Sequence, residues 1–309
     1  WRMTPMPGSL VSTRSSFCRA RSVPSAASPR PVTDDEVARF VTDGVVHLPG
    51  ILPTAWLDHL TGPVDETIAD LTTTVDMTAL GAGLGGTRDP GTDGGRFLSG
   101  VDHWLRHRAF AAFATTSPLP AIAAALMDAG RIHLYEDSVL VKEPGTVEAT
   151  VLHQDLGYFH LSGERICTCW VPLDPVTIQT GAMVYVRGSH RSGTVYRPNW
   201  FVTPDPLPDT EGEAVPAIPP EDARLTHIPA EPGDVIVPHA APLHGAGPNR
   251  SATTRRRAVS VRYCGDGVRY EIRPGAPTKP HHADVRSGDP VVDHPGCPLV
   301  WSRPLGSDR

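Results

Sequence analysis

Lysine is almost missing from this 309-residue chain: Lys142 and Lys279 are its only two, and arginine supplies the rest of the 28 basic residues. Set against 34 acidic residues they leave a net charge of -6, and no long basic stretch lies beyond residue 33. That argues against a DNA or RNA partner, whose phosphates need a basic face. Cysteine is sparse as well. The five, Cys18, Cys167, Cys169, Cys264 and Cys297, are odd in number and form no repeated CxxC pair, which argues against a disulfide framework or structural zinc and points to a reduced cytoplasm. No uninterrupted apolar run reaches the roughly eighteen residues of a membrane-spanning helix, so a soluble protein without a membrane partner is expected.

Arginine, alanine, proline and glycine are abundant instead, the bias of a GC-rich coding sequence. Residues 1–32 carry Arg2, Arg14, Arg19, Arg21 and Arg30, many serines and no acidic residue. That composition is shared by transit peptides and by over-extended starts of GC-rich genes, and we expect a disordered, non-targeting tail followed by a single domain over 33–309.

Order is expected from Thr33, an N-cap before Asp34, Asp35 and Glu36, with Val37, Phe40 and Val41 at helical spacing until Gly44. A strand follows over 45–48. Residues 55–71 read as an amphipathic helix with Trp56, Leu60, Val64, Ile68 and Leu71 on one stripe. Residues 72–95, rich in Gly, Thr and Asp, show no periodicity, whereas 118–129 form an Ala-rich helix. Beyond it the texture changes to short β-rich runs at 132–141, 151–159, 166–173, 182–186, 235–237 and 258–263, separated by Pro and Gly. Many short strands after N-terminal helices indicate a mainly β jelly-roll or barrel core.

His153-Gln154-Asp155 lies in one of these runs, where period two would put both outer side chains on one face. With a distant His244 they form the two-imidazole, one-carboxylate set that holds non-haem Fe(II) and leaves the opposite face open. The run Arg255-Arg256-Arg257 then offers a guanidinium fork for a dicarboxylate cosubstrate. A second HxD, His282-Ala283-Asp284, has only His294 after it, too close to return across a barrel.

The order and spacing of His153-Gln154-Asp155-Leu156-Gly157-Tyr158-Phe159, Trp170-Val171-Pro172-Leu173-Asp174, Gly188-Ser189-His190, Glu231-Pro232-Gly233-Asp234 and His244-Gly245-Ala246-Gly247-Pro248-Asn249 resemble the phytanoyl-CoA dioxygenase family from about residue 33 to 263. The resemblance implies a double-stranded β-helix, cupin-like core with flanking α-helices, and the use of Fe(II), 2-oxoglutarate and O2. It implies His153, Asp155 and His244 as iron ligands and Trp170 as a wall of the cosubstrate pocket. For the cosubstrate arginine, counting from His244 reaches Arg255, but aligning the strand Arg-Ala-Val-Ser selects Arg256, and a slip of one would reverse the face. We choose Arg256. Ala246 stands where the family often has a serine for the cosubstrate carboxylate.

Ser138 occupies a strand position that would face the cosubstrate. Arg96, Phe97, Trp104 and Tyr158 are candidates for the substrate pocket, although aromatic residues ordinarily serve packing. His190 and His239 could orient the ligands or be structural; Cys167 and Cys169 read as core. Residues 191–222 read as a lid or a solvated excursion. By resemblance, Asp155 excludes the halide position of related halogenases and favours hydroxylation or another halide-free oxidation. The expected function is hydroxylation of a small molecule, a secondary-metabolite intermediate. A desaturase, epoxidase or ring-forming oxygenase is the alternative within the family, and a non-catalytic cupin-like metal-binding protein the alternative outside it.

Overall fold

The computed structural model describes residues 23–85 and 94–304. Its helices are α1 (Asp34–Asp43), α2 (Ala55–Ala69), α3 (Met77–Gly83), α4 (Arg108–Thr116) and α5 (Leu119–Met127). The first seven strands are β1 (Val45–Leu48), β2 (Val75–Asp76), β3 (Phe97–Val101), β4 (Arg131–Lys142), β5 (Thr150–His153), β6 (Leu161–Ser162) and β7 (Ile166–Pro172). They are followed by β8 (Met183–Val186), β9 (Leu225–Ile228), β10 (Val235–Pro238), β11 (His244–Ala246), β12 (Arg256–Gly265), β13 (Arg269–Tyr270) and β14 (Leu299–Ser302).

Two antiparallel sheets form the core, as a jelly roll requires. The large one runs β1-β10-β7-β12-β4-β3-β2 with β14 also on β4, and the small one runs β5-β11-β8-β9. Alternation along the central strands separates two environments. Val259, Val261 and Tyr263 of β12 and Cys167, Cys169 and Val171 of β7 pack against Trp56, Leu60, Phe110 and Phe113 of the helices. The intervening Arg256, Ser260 and Arg262, with Thr168 and Trp170, face inward to a cavity between the sheets. One face of the large sheet is thus a hydrophobic floor for the helices, and the other is chemical.

Thr33 caps α1 as expected, its hydroxyl accepting from Glu36 N while Glu36 reaches back to Thr33 N at 2.8 Å. Ordered contacts nevertheless begin upstream of Thr33: Trp56 Nε1 donates to the Ser25 carbonyl at 2.8 Å, Ser28 Oγ donates to the Ile51 carbonyl, and Arg30 pairs with Glu36 at 2.7 Å. Polar side chains tether this segment, so apolar periodicity did not reveal it; the rest of the expected tail, 1–22, lies outside the described residues. Helix α2 ends two residues before the expected 71, leaving Leu71 exposed. The aperiodic 72–95 holds β2 and α3, the latter capped by Asp76, which accepts from Thr78 N and Ala79 N; residues 86–93 are not described. Arg108–Met127 has the length and apolarity of a membrane span, but 67% of that window is buried inside the fold, and it is two helices split at Ser117-Pro118.

Asp137 on β4 is buried, accepts from Trp104 N at 3.2 Å, and has no partner at its second oxygen among the described residues. Burial, reinforced by Asp102 and Glu136, raises its pKa to about 7. The folded carboxyl therefore keeps its proton through a range in which the unfolded one, near 3.8, has lost it. This contribution to stability is full below the unfolded value and is lost as pH rises toward 7. Between pH 5 and 8 the unfolding free energy is expected to fall by roughly 3 kcal/mol more in the wild type than in Asp137→Asn. Urea unfolding at the two pH values checks this, and parallel slopes would refute it.

Candidate metal centre

His153 closes β5 and His244 opens β11; the two strands are antiparallel neighbours, with these residues directly opposite. Gln154 remains extended (φ -124°, ψ 124°), so Asp155 returns to the face of His153. The expected strand over 151–159 does not continue, because Asp155–Gly157 is a single helical turn. Gln154 spends its amide on the carbonyls of Thr194 and Ala241 and accepts from Tyr196 N, not on a ladder. Gly157 is required by crowding: a Cβ there would collide with the Tyr196 carbonyl.

Ligand atoms of His153, Asp155 and His244 all lie within 4.8 Å of one another, and all three residues are buried. Asp155 Oδ1 is 3.5 Å from His153 Nε2 and 3.6 Å from His244 Nε2. Each imidazole commits Nδ1 to a carbonyl two residues upstream, Val151 at 2.9 Å and Pro242 at 3.0 Å. That fixes the tautomer which leaves Nε2 free to ligate. The second Asp155 oxygen accepts from Thr168 Oγ1 at 3.1 Å, with Arg262 Nε 3.9 Å away. Burial alone would raise the Asp155 pKa, but His244, His153 and Arg262 hold it well below the usual carboxylate range. Burial, with His153 beside it, lowers the His244 pKa to about 4. At neutral pH the cluster therefore offers a carboxylate and a neutral His244 imidazole.

Below it, the inward compartment contains one arginine of the 255–257 run. Arg255 turns outward to Glu143 and Asp65, and Arg257 to Asp174 and Asp65. Arg256 is 1% exposed, lies 5.8 Å over the Trp170 ring, and has no hydrogen-bond partner at Nε among the described residues. Burial lowers its pKa to about 10, which still leaves a cation at neutral pH. Above the ligands opens a larger cavity of about 440 Å³, with Asp155, Arg262, Tyr158, Phe159, Phe201 and Leu140 in its wall.

The phytanoyl-CoA dioxygenase (PhyH) family model matches residues 40–258. The chain belongs to the phytanoyl-CoA dioxygenase family. Similar curated proteins are a probable phytanoyl-CoA dioxygenase of Caenorhabditis elegans (31% identity, 38% of this chain, 36% of the relative) and 1-deoxypentalenic acid 11-beta-hydroxylase of Streptomyces arenae (38% identity, 36% of this chain, 39% of the relative). Those alignments span well under half of either relative. Over longer stretches the fold is similar to the non-heme alpha ketoglutarate dependent carbocyclase SnoK from nogalamycin biosynthesis (TM-score 0.64, 21% identity, 87% of this chain, 97% of that one). It is also similar to the epimerase SnoN from the same biosynthesis (TM-score 0.61, 22% identity, 86% and 98%).

Within this phytanoyl-CoA dioxygenase fold the remaining candidate residues separate. Tyr158 lines the larger cavity, its hydroxyl clasped by Asn199. Ser138, expected at the cosubstrate, instead lines that larger cavity and accepts from Arg262 Nη1 at 2.8 Å. Trp104 faces a separate groove beside His281 and Pro280, because Asp102 turns the chain away in a left-handed conformation (φ 60°). Arg96 is exposed at the outer end of β3, and Phe97 is core beneath the Lys142 ammonium. His239 bonds the Glu164 carbonyl and Ala241 N, and His190 the Val41 carbonyl, so both are structural. His282 stacks on Tyr135 and accepts from Lys279 N; the second HxD is packing.

Four residues at the centre were not anticipated. Thr168 and Arg262 were legible by period two, lying two residues from Trp170 and six from Arg256 on the same strand faces. Tyr185, stacked on His244 at 5.4 Å, follows from the same alternation on β8. Nothing singles out Phe201 within 191–222, the segment that reads as a lid or a solvated excursion. It sits in the long excursion after β8 in a left-handed conformation (φ 66°), its ring 4.3 Å from that of His153, so this segment roofs the centre.

Proposed function

We propose that this protein is an Fe(II)- and 2-oxoglutarate-dependent oxygenase that hydroxylates a small molecule, an intermediate of natural-product biosynthesis, in the cytoplasm. One observation carries the reading: a buried His-Asp-His cluster shares a compartment with the buried Arg256 guanidinium, which forms no ion pair and whose Nε has no hydrogen-bond partner among the described residues. The donor set fits ferrous iron, with two free Nε2 atoms and a carboxylate oxygen converging and the other atoms of each ligand already occupied. Iron held by His153, Asp155 and His244 would couple the oxidative decarboxylation of 2-oxoglutarate by O2, giving succinate and carbon dioxide, to substrate oxidation.

The chain supplies the rest. Arg256 binds the distal carboxylate of 2-oxoglutarate and Trp170 walls it in. Tyr158 and Phe201 cover His153 and exclude water, while Thr168 and Arg262 keep Asp155 oriented. The larger cavity, with Leu140, Met77 and Phe159 in its wall, suits a mainly apolar substrate. Relatives named for hydroxylation of 1-deoxypentalenic acid and for nogalamycin biosynthesis support such a substrate class, and the four described cysteines, all free and buried, support a reducing compartment. Similarity to a carbocyclase keeps ring formation as the second reading.

Incubation with Fe(II), 2-oxoglutarate and a panel of terpenoid and polyketide intermediates is expected to yield succinate together with a product heavier by one oxygen. Loss of two hydrogens would favour ring formation or desaturation. Metal binding without succinate from any substrate would overturn the enzyme reading in favour of a cupin-like binding protein.

A further inference from the structure

Tyr185 is a polar side chain that the site so far leaves without a task. It is fully buried on β8, directly opposite His244 of β11, and its ring lies nearly parallel to that imidazole (19°). It lines the same compartment as Arg256 and Trp170, and its hydroxyl has no hydrogen-bond partner among the described residues. Buried phenols nearly always have one, because desolvating a donor without replacing its water is unfavourable. Ala246, across the ladder beside Met183, presents only a methyl, and none of the polar side chains that share the compartment bonds the Tyr185 hydroxyl among the described residues. Arg256 Nε is unpartnered in the same space. A phenol and a guanidinium, both with donors unspent and both enclosed, are matched by a ligand that brings several acceptor lone pairs and negative charge, which is the description of a carboxylate.

We infer that the Tyr185 hydroxyl donates to the distal carboxylate of the 2-oxo acid that Arg256 holds, making Tyr185 a selectivity residue for dicarboxylic over monocarboxylic 2-oxo acids. This rests on the cosubstrate reading above. Thr150 and Ser260 also line the compartment and are the rival hydroxyls.

The test is calorimetric titration of the Mn(II)-loaded full chain with 2-oxoglutarate and with 2-oxobutyrate, which keeps the chelating head but lacks the distal carboxylate. Tyr185→Phe is expected to weaken 2-oxoglutarate about 10- to 100-fold, the range for a hydrogen bond to a charged group, while leaving 2-oxobutyrate and Mn(II) affinities unchanged. An equal loss for both acids, a loss of Mn(II) affinity, no loss at all, or a loss appearing instead in Ser260→Ala or Thr150→Val overturns the inference. Failure of the wild type to bind 2-oxoglutarate would overturn the cosubstrate reading itself.

Discussion

Asp155→Ala is expected to abolish metal-dependent formation of succinate, with a loss of metal affinity well beyond 100-fold. The carboxylate is the anionic member of the cluster, and its Oδ1 lies 3.5 and 3.6 Å from the two Nε2 atoms. Without it, two imidazoles must hold a dication in a buried pocket with Arg262 close by, an arrangement that like charge and desolvation both oppose. Thr168→Val calibrates the effect. It keeps the shape and all three ligands but removes the hydroxyl on Asp155 Oδ2, and outer hydrogen bonds of this kind typically cost about 10- to 100-fold in affinity or activity. Calorimetry with Mn(II) and a succinate assay with Fe(II) measure both variants. An Asp155→Ala protein that binds metal as tightly as Thr168→Val would show that the cluster is not the metal site.

Arg256→Met should raise the KM for 2-oxoglutarate by two orders of magnitude or more, in line with the roughly 2–5 kcal/mol cost of truncating one partner of a buried charge pair. Arg256→Lys should recover part of this, since an ammonium keeps the charge but loses the planar fork. The adjacent arginines provide the control. Arg255 is 39% exposed at its side chain and pairs outward with Glu143 and Asp65, and an exposed pair of this sort is worth about 1 kcal/mol or less. Arg255→Ala is therefore expected to leave the KM within a few-fold of the wild type. The reverse pattern would mean that β12 lies one residue out of register, with Arg255 inside.

That register is legible in the sequence because period two admits only two answers. Choosing Arg256 places Ala258, Ser260 and Arg262 on its face, and the same alternation from Trp170 reaches Thr168. Helix α1 was legible for a similarly local reason: an N-cap, acidic first turn and terminal glycine act within a few residues of one another. The errors arose where local pattern competes with distant contacts. A continuous strand through 159 was a fair reading of the pattern, yet Gln154 found better partners in the carbonyls of Thr194 and Ala241, and the chain turned. Trp104 and Arg96 have side chains suited to a pocket, but the path of β3 and the left-handed Asp102 direct them elsewhere.

By its sequence alone this protein specified a β-rich core behind N-terminal helices, the His153, Asp155 and His244 side chains that cluster, and which arginine of three faces inward, all of which follow from residue type, spacing and alternation. Only the tertiary structure decided that β5 and β11 pair with His153 opposite His244, that Phe201 folds over the centre, and that Thr168 bonds one oxygen of Asp155 with Arg262 nearby. Those outcomes depend on strand register and loop paths between residues tens of positions apart, where the free energy resides in contacts that no local window contains.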